Sequence, residues 1–307
     1  MRDLHELPKL RDSLSYLYVE HALVERKDSA VEFIDKEGRT MIPAAALSVL
    51  MLGPGTNVTH AAIKVLAESG CTIVWTGEDA TRCYAQGMGE TRKAYHLLRQ
   101  AELSSDSGKR MQVVLRMYRK RFGDNLDPSL SLPQIRGLEG VRVREAYAHA
   151  SRAYNVPWEG RRYDRTAWAG SDPINRALSA ANALLNGICH AGIVSGGYSP
   201  ALGFIHTGKQ LSFVYDIADL YKAELTIPVA FKAVGESGTD VERRVRTACR
   251  EKFRETKLLA RILPDIDDLL GISSEEQVTE EGDVDEDPAF PEPLWSPVAC
   301  MVQEGVR

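Results

Sequence analysis

Two carboxylates, Asp216 and Asp219, stand three residues apart in FVYDIADLYK, residues 213–222, inside an otherwise apolar run. On a helix that spacing puts both on one face. Like charges so placed repel unless a proton or a cation lies between them. A hard divalent ion is the usual partner of carboxylate oxygens, which points to Mg²⁺ or Mn²⁺. Ten residues upstream of Asp216, His206 lies in a turn bounded by Gly203 and Gly208, and an imidazole ligand tilts the choice toward Mn²⁺. A plainer reading stays open: Asp216 caps a helix or pairs with an arginine, and His206 is a satisfied turn residue.

Other stretches carry chemistry less directly. GPGTNVTHAAIK has the glycines of a phosphate loop but not its GK[ST] ending, so a turn followed by a helix cap accounts for it. A helix N-terminus touching a nucleic-acid phosphate is the functional alternative there. There is no GxSxG, and no cysteine has a nucleophile's surroundings, so covalent catalysis has no candidate. WEGRRYDRTAW, residues 158–168, interleaves Arg161, Arg162 and Arg165 with Trp158, Tyr163 and Trp168. Guanidinium groups pair with phosphates and aromatic faces stack on bases, so the stretch reads either as a nucleic-acid loop or as surface arginines around a buried Trp. In VERRVRTACREKFR, Arg243, Arg246, Arg250 and Arg254 form one helical stripe unbroken by acids, which leans toward a polyanion partner. Glu139, between Gly137 and Gly140, reads by default as a first-turn glutamate favourable to a helix dipole.

The elements that must position these residues divide the chain. Residues 1–88 read as β-rich: SLSYLYVEHALVE alternates over its second half, AVEFIDKEGRTMIP forms a hairpin around Lys36-Glu37-Gly38, and LSVLMLGPG is a buried strand. Thr59 caps a helix closed by Gly70, and CTIVW and RCYAQG supply two more strands. Residues 89–270 read as helical. There Met111, Val114, Leu115, Tyr118 and Phe122 form an apolar face, and Lys109, Arg110, Arg116, Arg119, Lys120 and Arg121 crowd the rest. Further helices are expected at about 133–154, 173–195, 211–224 and 239–264. Residues 271–307, acidic and holding Pro288, Pro291, Pro293 and Pro297, read as a flexible tail. The expected class is α+β: a small N-terminal β-rich domain followed by a larger all-α domain.

The bulk numbers set the limits. The chain has 307 residues, 44% hydrophobic and 26% charged, as in soluble globular proteins. Its net charge of -5 is unevenly spread. Glu275 to Glu292 contain nine acids and no Lys or Arg, while residues 1–274 hold 37 basic residues (all 38 but Arg307) against 33 acidic ones. The body is therefore mildly basic and the tail strongly acidic. Five cysteines without CxxC spacing argue against a structural zinc site and for a reducing compartment. No apolar run is seen to approach the roughly 18 residues of a membrane span, and the start carries no signal peptide. Cytoplasm is the expectation.

Several blocks taken in order resemble one family, CRISPR-associated protein one, the integrase of spacer acquisition, and within it the subtype I-E branch. They are LGPGT (52–56), VTHAA (58–62), RGLEGVRVR (136–144), GRRYD (160–164), GFIHTGK (203–209) and FVYDIADLYK (213–222). The resemblance implies that Glu139, His206 and Asp219 bind the catalytic Mg²⁺ or Mn²⁺, with Asp216 as a supporting acid. It implies a DNA path lined by Arg82, Arg136, Arg162, Lys209, Arg243 and Arg246. Lys64 stands where an arginine is commoner, and His21 where relatives often stack a tyrosine on the duplex end. The reaction implied is attack by the 3′-hydroxyl of a short DNA fragment on a phosphodiester of CRISPR repeat DNA. The partners implied are double-stranded DNA with 3′ ends, a second copy of the chain, and CRISPR-associated protein two in a heterohexamer. A metal-dependent nuclease acting on branched DNA in repair and a non-catalytic DNA scaffold are the alternatives.

Overall fold

The computed structural model describes residues 16–87, 94–122, 127, 129–161 and 172–272. Arg162, Tyr163, Arg165 and Trp168, and the tail from Ser273 on, lie outside the described residues.

The N-terminal half holds two four-stranded sheets. In the first, β1 (Tyr16–Val19), β5 (Val49–Leu52) and β7 (Thr72–Thr76) run parallel, and β8 (Cys83–Gly87) pairs antiparallel with β7. In the second, the order is β4 (Gly38–Pro43), β3 (Ala30–Asp35), β2 (Leu23–Lys27) and the short β6 (Asn57–Val58). Helix α1 (His60–Glu68) packs its Ala62, Val65 and Leu66 into a core with Val24, Val31, Phe33, Leu50 and Ile73. Local chemistry accounts for much of this. The β3–β4 hairpin turns at Lys36-Glu37, with Asp35 Oδ1 accepting from the Glu37 and Gly38 backbones at 2.7 and 3.1 Å. The Thr59 hydroxyl accepts from the Ala62 N–H at 3.3 Å and caps α1, and Gly70 closes it at φ 70°.

SLSYLYVEHALVE, read as alternating over its second half, contributes two strands to different sheets, β1 and β2. The chain breaks at His21, whose φ is 52° and whose N–H donates to the Pro54 carbonyl at 2.9 Å. That left-handed residue turns β2 away from β1.

The second half is helical: α2 (Tyr95–Ser105), α3 (Ser107–Phe122), α4 (Leu132–Tyr154), α5 (Pro173–Ser195), α6 (Ser212–Tyr221), α7 (Ile227–Glu236), α8 (Val241–Glu255) and α9 (Leu258–Leu270). The single helix expected at 239–264 is two, because Lys257 adopts φ 49°. Asp172 caps α5, accepting from the Asn175 N–H at 2.7 Å. Although α5 is long and apolar enough to cross a membrane, 78% of its most apolar stretch is buried inside the molecule, as in a core helix packed against α6, α7, α8 and α9. The apolar run that the sequence reading passed over therefore fills the interior. A Cβ on Gly187 of α5 would lie 2.2 Å from the Ala80 carbonyl, so the helix runs hard against the loop after β7. Arg250 of α8 also lies over the Tyr18 ring of β1, 5.8 Å from its centroid. The strand-rich and helical halves thus meet within one compact unit that ends at Leu270.

The buried face of α3 differs from the one read off the sequence. Val113, Val114, Met117, Tyr118 and Arg121 are buried, whereas Met111 is 39% exposed. Arg121, counted with the solvated bases, sits on the inner face at the 114–117–121 spacing. Burying a guanidinium requires partners, and those partners are the site acids described next.

Candidate active site

Asp216 and Asp219 share a helix but not an environment. Asp216 is fully buried and accepts from three successive backbone N–H groups: Phe204 at 2.6 Å and Ile205 at 3.1 Å through Oδ2, and His206 at 2.9 Å through Oδ1. The same Oδ1 lies 2.7 Å from His206 Nδ1. Of the roles weighed for Asp216, an ion ligand, a cap or an arginine partner, this contact set is nearest the cap, although the backbone capped is a loop: the carboxylate folds residues 203–206 around itself and fixes the His206 ring. Gly203 is required there, since a Cβ would stand 2.2 Å from the His206 carbonyl. The hydrogen bond from Asp216 raises the His206 pKa, partly opposed by burial and assisted by the charges of Asp216 and Asp219. With Nδ1 committed to Asp216, Nε2 of this half-exposed ring is the nitrogen free for a ligand or substrate. The ring rests edge-on against Tyr215, centroids 6.0 Å apart.

Asp219, one turn on, is partly open. Its Oδ1 accepts from Lys222 Nζ at 2.5 Å, and its Oδ2 faces Arg121 Nη2 at 3.8 Å. Immediately after Asp219 the helix widens into a π-turn, Lys222–Thr226, in which the Ile227 N–H reaches back to the Lys222 carbonyl. Pro228 has no N–H to give the ordinary ladder, which accounts for the widening.

Glu139 comes from α4. The Ser131 N–H and hydroxyl both reach Gln134 Oε1, at 2.9 and 2.6 Å, so the helix starts at Leu132. Glu139 is therefore about two turns inside α4 rather than in its first turn, and the helix-dipole reading does not apply. Its Oε1 accepts from Arg121 Nη1. Arg121, only 4% exposed as a side chain, bridges Glu139 and Asp219 and also approaches the Asp216 carbonyl at 3.4 Å. The charge of Arg136 acts on the Tyr118 hydroxyl beside this cluster, opposing the rise that burial gives its pKa. The structure thus gathers Glu139 and Asp219 around one guanidinium, with His206 held by Asp216 on the same side of α6. Among the described residues no three His, Cys, Asp or Glu side chains converge at ligand distances. The donor types, two partly open carboxylates and an oriented imidazole, nevertheless fit a hard divalent ion. The cation already seated between the two carboxylates marks a place built for positive charge. Arg121 and Lys222 are the site residues that sequence reading missed. Lys222 was visible as the base three residues past Asp219, and Arg121 as the charge falling on the helical period of its neighbours.

The remaining bases are distributed over both halves. Lys209 is exposed beyond His206, and its N–H donates to the Ser212 hydroxyl at 3.0 Å. Arg243 is 78% exposed. Arg246 and Arg250 are half-buried, so the stripe is solvent-facing mainly at Arg243 and Arg254. Arg82 is exposed with φ 61° next to the β7–β8 turn, and Lys64 is exposed and paired with Glu68 at 3.6 Å. The exposed His21 ring packs against the Gly55 turn. Trp158 is engaged internally, stacked on Tyr147 at 4.5 Å and edge-on to Phe231 at 5.6 Å. Arg161 bonds the Asn175 carbonyl and the Ser179 hydroxyl, each at 2.9 Å, so Trp158 and Arg161 both have partners within the chain. A broad groove between α7 and α8, lined by Lys232, Arg243, Glu251 and Lys252 among others, lies away from this chemistry.

Fold and site together define an α+β protein that gathers two acids and an imidazole on its helical half. A family model described as CRISPR associated protein Cas1 matches residues 15–124 and 119–247. The CRISPR-associated endonuclease Cas1 2 of Thermus thermophilus is 56% identical over 297 residues, spanning 96% of this chain and 90% of that relative. The CRISPR-associated endonuclease Cas1 of Escherichia coli K12 is 43% identical over 268 residues, 87% and 88% of the two chains. The crystal structure of a TtCas1–DNA complex overlays with a TM-score of 0.77 at 56% identity, covering 87% of this chain and 100% of that one. The chain belongs to the Cas1 family.

Proposed function

We propose that the protein is a DNA endonuclease and integrase of CRISPR adaptation, of the subtype I-E branch, that joins short DNA fragments to CRISPR repeat DNA. The observation that carries this reading is the pairing of Glu139 and Asp219 on one buried guanidinium, with His206 oriented by Asp216 one turn away on α6. The names of the relatives support nuclease chemistry, and the TtCas1–DNA complex supports a DNA ligand.

In this reading the 3′-hydroxyl of the incoming strand attacks the scissile phosphorus, one phosphodiester forms as another breaks, and a new 3′-hydroxyl leaves. No protein nucleophile is needed, which agrees with the lack of one in the sequence. Glu139, His206 through Nε2, and Asp219 would hold Mg²⁺ or Mn²⁺. Such an ion, when bound, neutralises charge on the phosphate and stabilises the leaving oxygen. The chain's own part is positioning. Asp216 fixes the imidazole, the π-turn sets Lys222 against Asp219, and exposed Lys209 is offered to a neighbouring phosphate. Arg82, Arg136, Arg162, Arg243, Arg246 and Lys64 hold DNA backbone, and His21 caps the duplex end. A homodimer, a heterohexamer with CRISPR-associated protein two, and a cytoplasmic setting belong to the same proposal, as does the division at residue 88 between a contact domain and a catalytic domain.

Two substrates separate this from branched-DNA nuclease action: labelled duplex with free 3′ ends plus a repeat-bearing plasmid and the partner protein, and a branched duplex alone. Joining of label to the plasmid is expected. Efficient cutting of the branched DNA with no joining would favour the repair nuclease.

A further inference from the structure

Arg121 is the feature of the site that the proposed reaction does not use. Its Nη1 bonds Glu139, its Nη2 faces Asp219 at 3.8 Å and the Asp216 carbonyl at 3.4 Å, and its plane lies over the Tyr118 ring at 5.5 Å. The side chain is 4% exposed, and Nε is buried with no hydrogen-bond partner among the described residues. A buried guanidinium with one orphaned N–H is incompletely satisfied, so this arrangement costs the fold something that its position must offset.

We infer that Arg121 is a resident counter-cation of the acidic site: it holds Glu139 and Asp219 in register across three helices, and a divalent ion loads only by displacing it from at least one of them. The inference rests on reading Glu139, His206 and Asp219 as the ion site. A guanidinium and a divalent ion repel strongly when both lie desolvated beside the same pair of carboxylates. The contacts differ in strength. The Glu139 leg is close, whereas the Asp219 and Asp216 legs are beyond good hydrogen-bond distance. Asp219 is therefore the leg that lets go. Lys222, which also holds Asp219, must give way with it, so the ion enters on the α6 side while Glu139 keeps its arginine longest. Arg121 in this role is a positioning residue: it prevents the two acids from repelling one another apart, and it sets ion affinity by competing for them.

Titration of the full chain with Mn²⁺ alone, followed by electron paramagnetic resonance, reads this without any activity assay. Arg121→Gln, folded by circular dichroism, is expected to bind Mn²⁺ about tenfold tighter than wild type through loss of one like charge. Arg121→Lys, which keeps the charge, is expected to stay near wild type. Equal or weaker binding by Arg121→Gln, with Asp219→Asn still abolishing binding, overturns the inference and leaves the ion site standing. Wild-type binding by Asp219→Asn overturns the ion site itself, and this inference with it. If Arg121→Gln does not fold, the wild-type protein decides. The Arg121 Nε–H nuclear magnetic resonance signal should move along the same Mg²⁺ titration that saturates the site, and a signal that stays fixed through saturation rules displacement out.

Discussion

Asp216 Oδ1 lies 2.7 Å from His206 Nδ1 and 2.9 Å from the same residue's backbone nitrogen, so one buried oxygen fixes both the loop and the ring it carries. Three residues later Asp219 holds no backbone group among the described residues and meets only the cations Lys222 and Arg121. Two acids one turn apart on α6 thus have different settings, one closed around backbone and one open to cations.

The first consequence is an order of stabilities. Asp216→Ala strands one buried and two half-buried backbone N–H groups, a buried one being worth about 1–3 kcal/mol when unsatisfied, so a loss on the order of 3 kcal/mol is expected. Asp219→Asn, at a partly open position, should cost less than half of that. Urea unfolding of the two variants checks the order, and equal losses would mean that the loop does not depend on Asp216.

His206 sets a pH dependence. Its folded pKa is raised, chiefly by the bond to Asp216. A raised folded value means a contribution that is complete below the unfolded value of 6.5 and is lost as pH rises through the folded value. In chelator-treated protein the melting-temperature gap between wild type and His206→Asn should therefore be wider at about pH 6 than at about pH 8.5. A gap that is constant or widens with pH contradicts the assigned partner.

Much of this architecture could be read from the chain, and the exceptions share one cause. The Lys36-Glu37 turn, the Thr59 cap and the limits of α5 follow from neighbours within a few residues, and the structure has them where they were read. His21 and Lys257 break expected elements by turning left-handed, a choice few non-glycine residues advertise in their type. Arg121 meets Glu139 across 18 positions and the Asp216 carbonyl across 95, so its burial is a fact of assembly that no local pattern carries. Glu139 was anonymous by spacing and gained a role only through the family resemblance.

Glycines at two places should respond oppositely. Gly55 has φ 69°, and a Cβ there would meet the His21 ring at 2.3 Å. Gly55→Ala should destabilise by about 1–2 kcal/mol from backbone strain alone, and more if the ring cannot move. Gly137, inside α4 with open space around its Cα, should gain roughly 0.5–1 kcal/mol on changing to Ala. Thermal unfolding of both variants is sufficient, and a stabilised Gly55→Ala would refute the packing described for His21.

Backbone holding of DNA makes a salt prediction. Arg243→Ala combined with Lys209→Ala removes two exposed bases and should weaken binding to all sequences alike. Each lost phosphate contact should flatten the slope of log affinity against log salt by about 0.9. Fluorescence anisotropy on unrelated duplexes across a salt series reads this, and a loss confined to one sequence contradicts it.

The most direct measurement is strand joining by Asp219→Asn and Glu139→Gln, assayed with the partner protein, Mn²⁺, and labelled duplex bearing free 3′-hydroxyl ends. If these acids carry the reaction, both variants bind duplex DNA as wild type does but join it at least about a hundredfold more slowly, a loss of roughly 2.7 kcal/mol in transition-state stabilisation. Joining at the wild-type rate by either variant would contradict the assigned site.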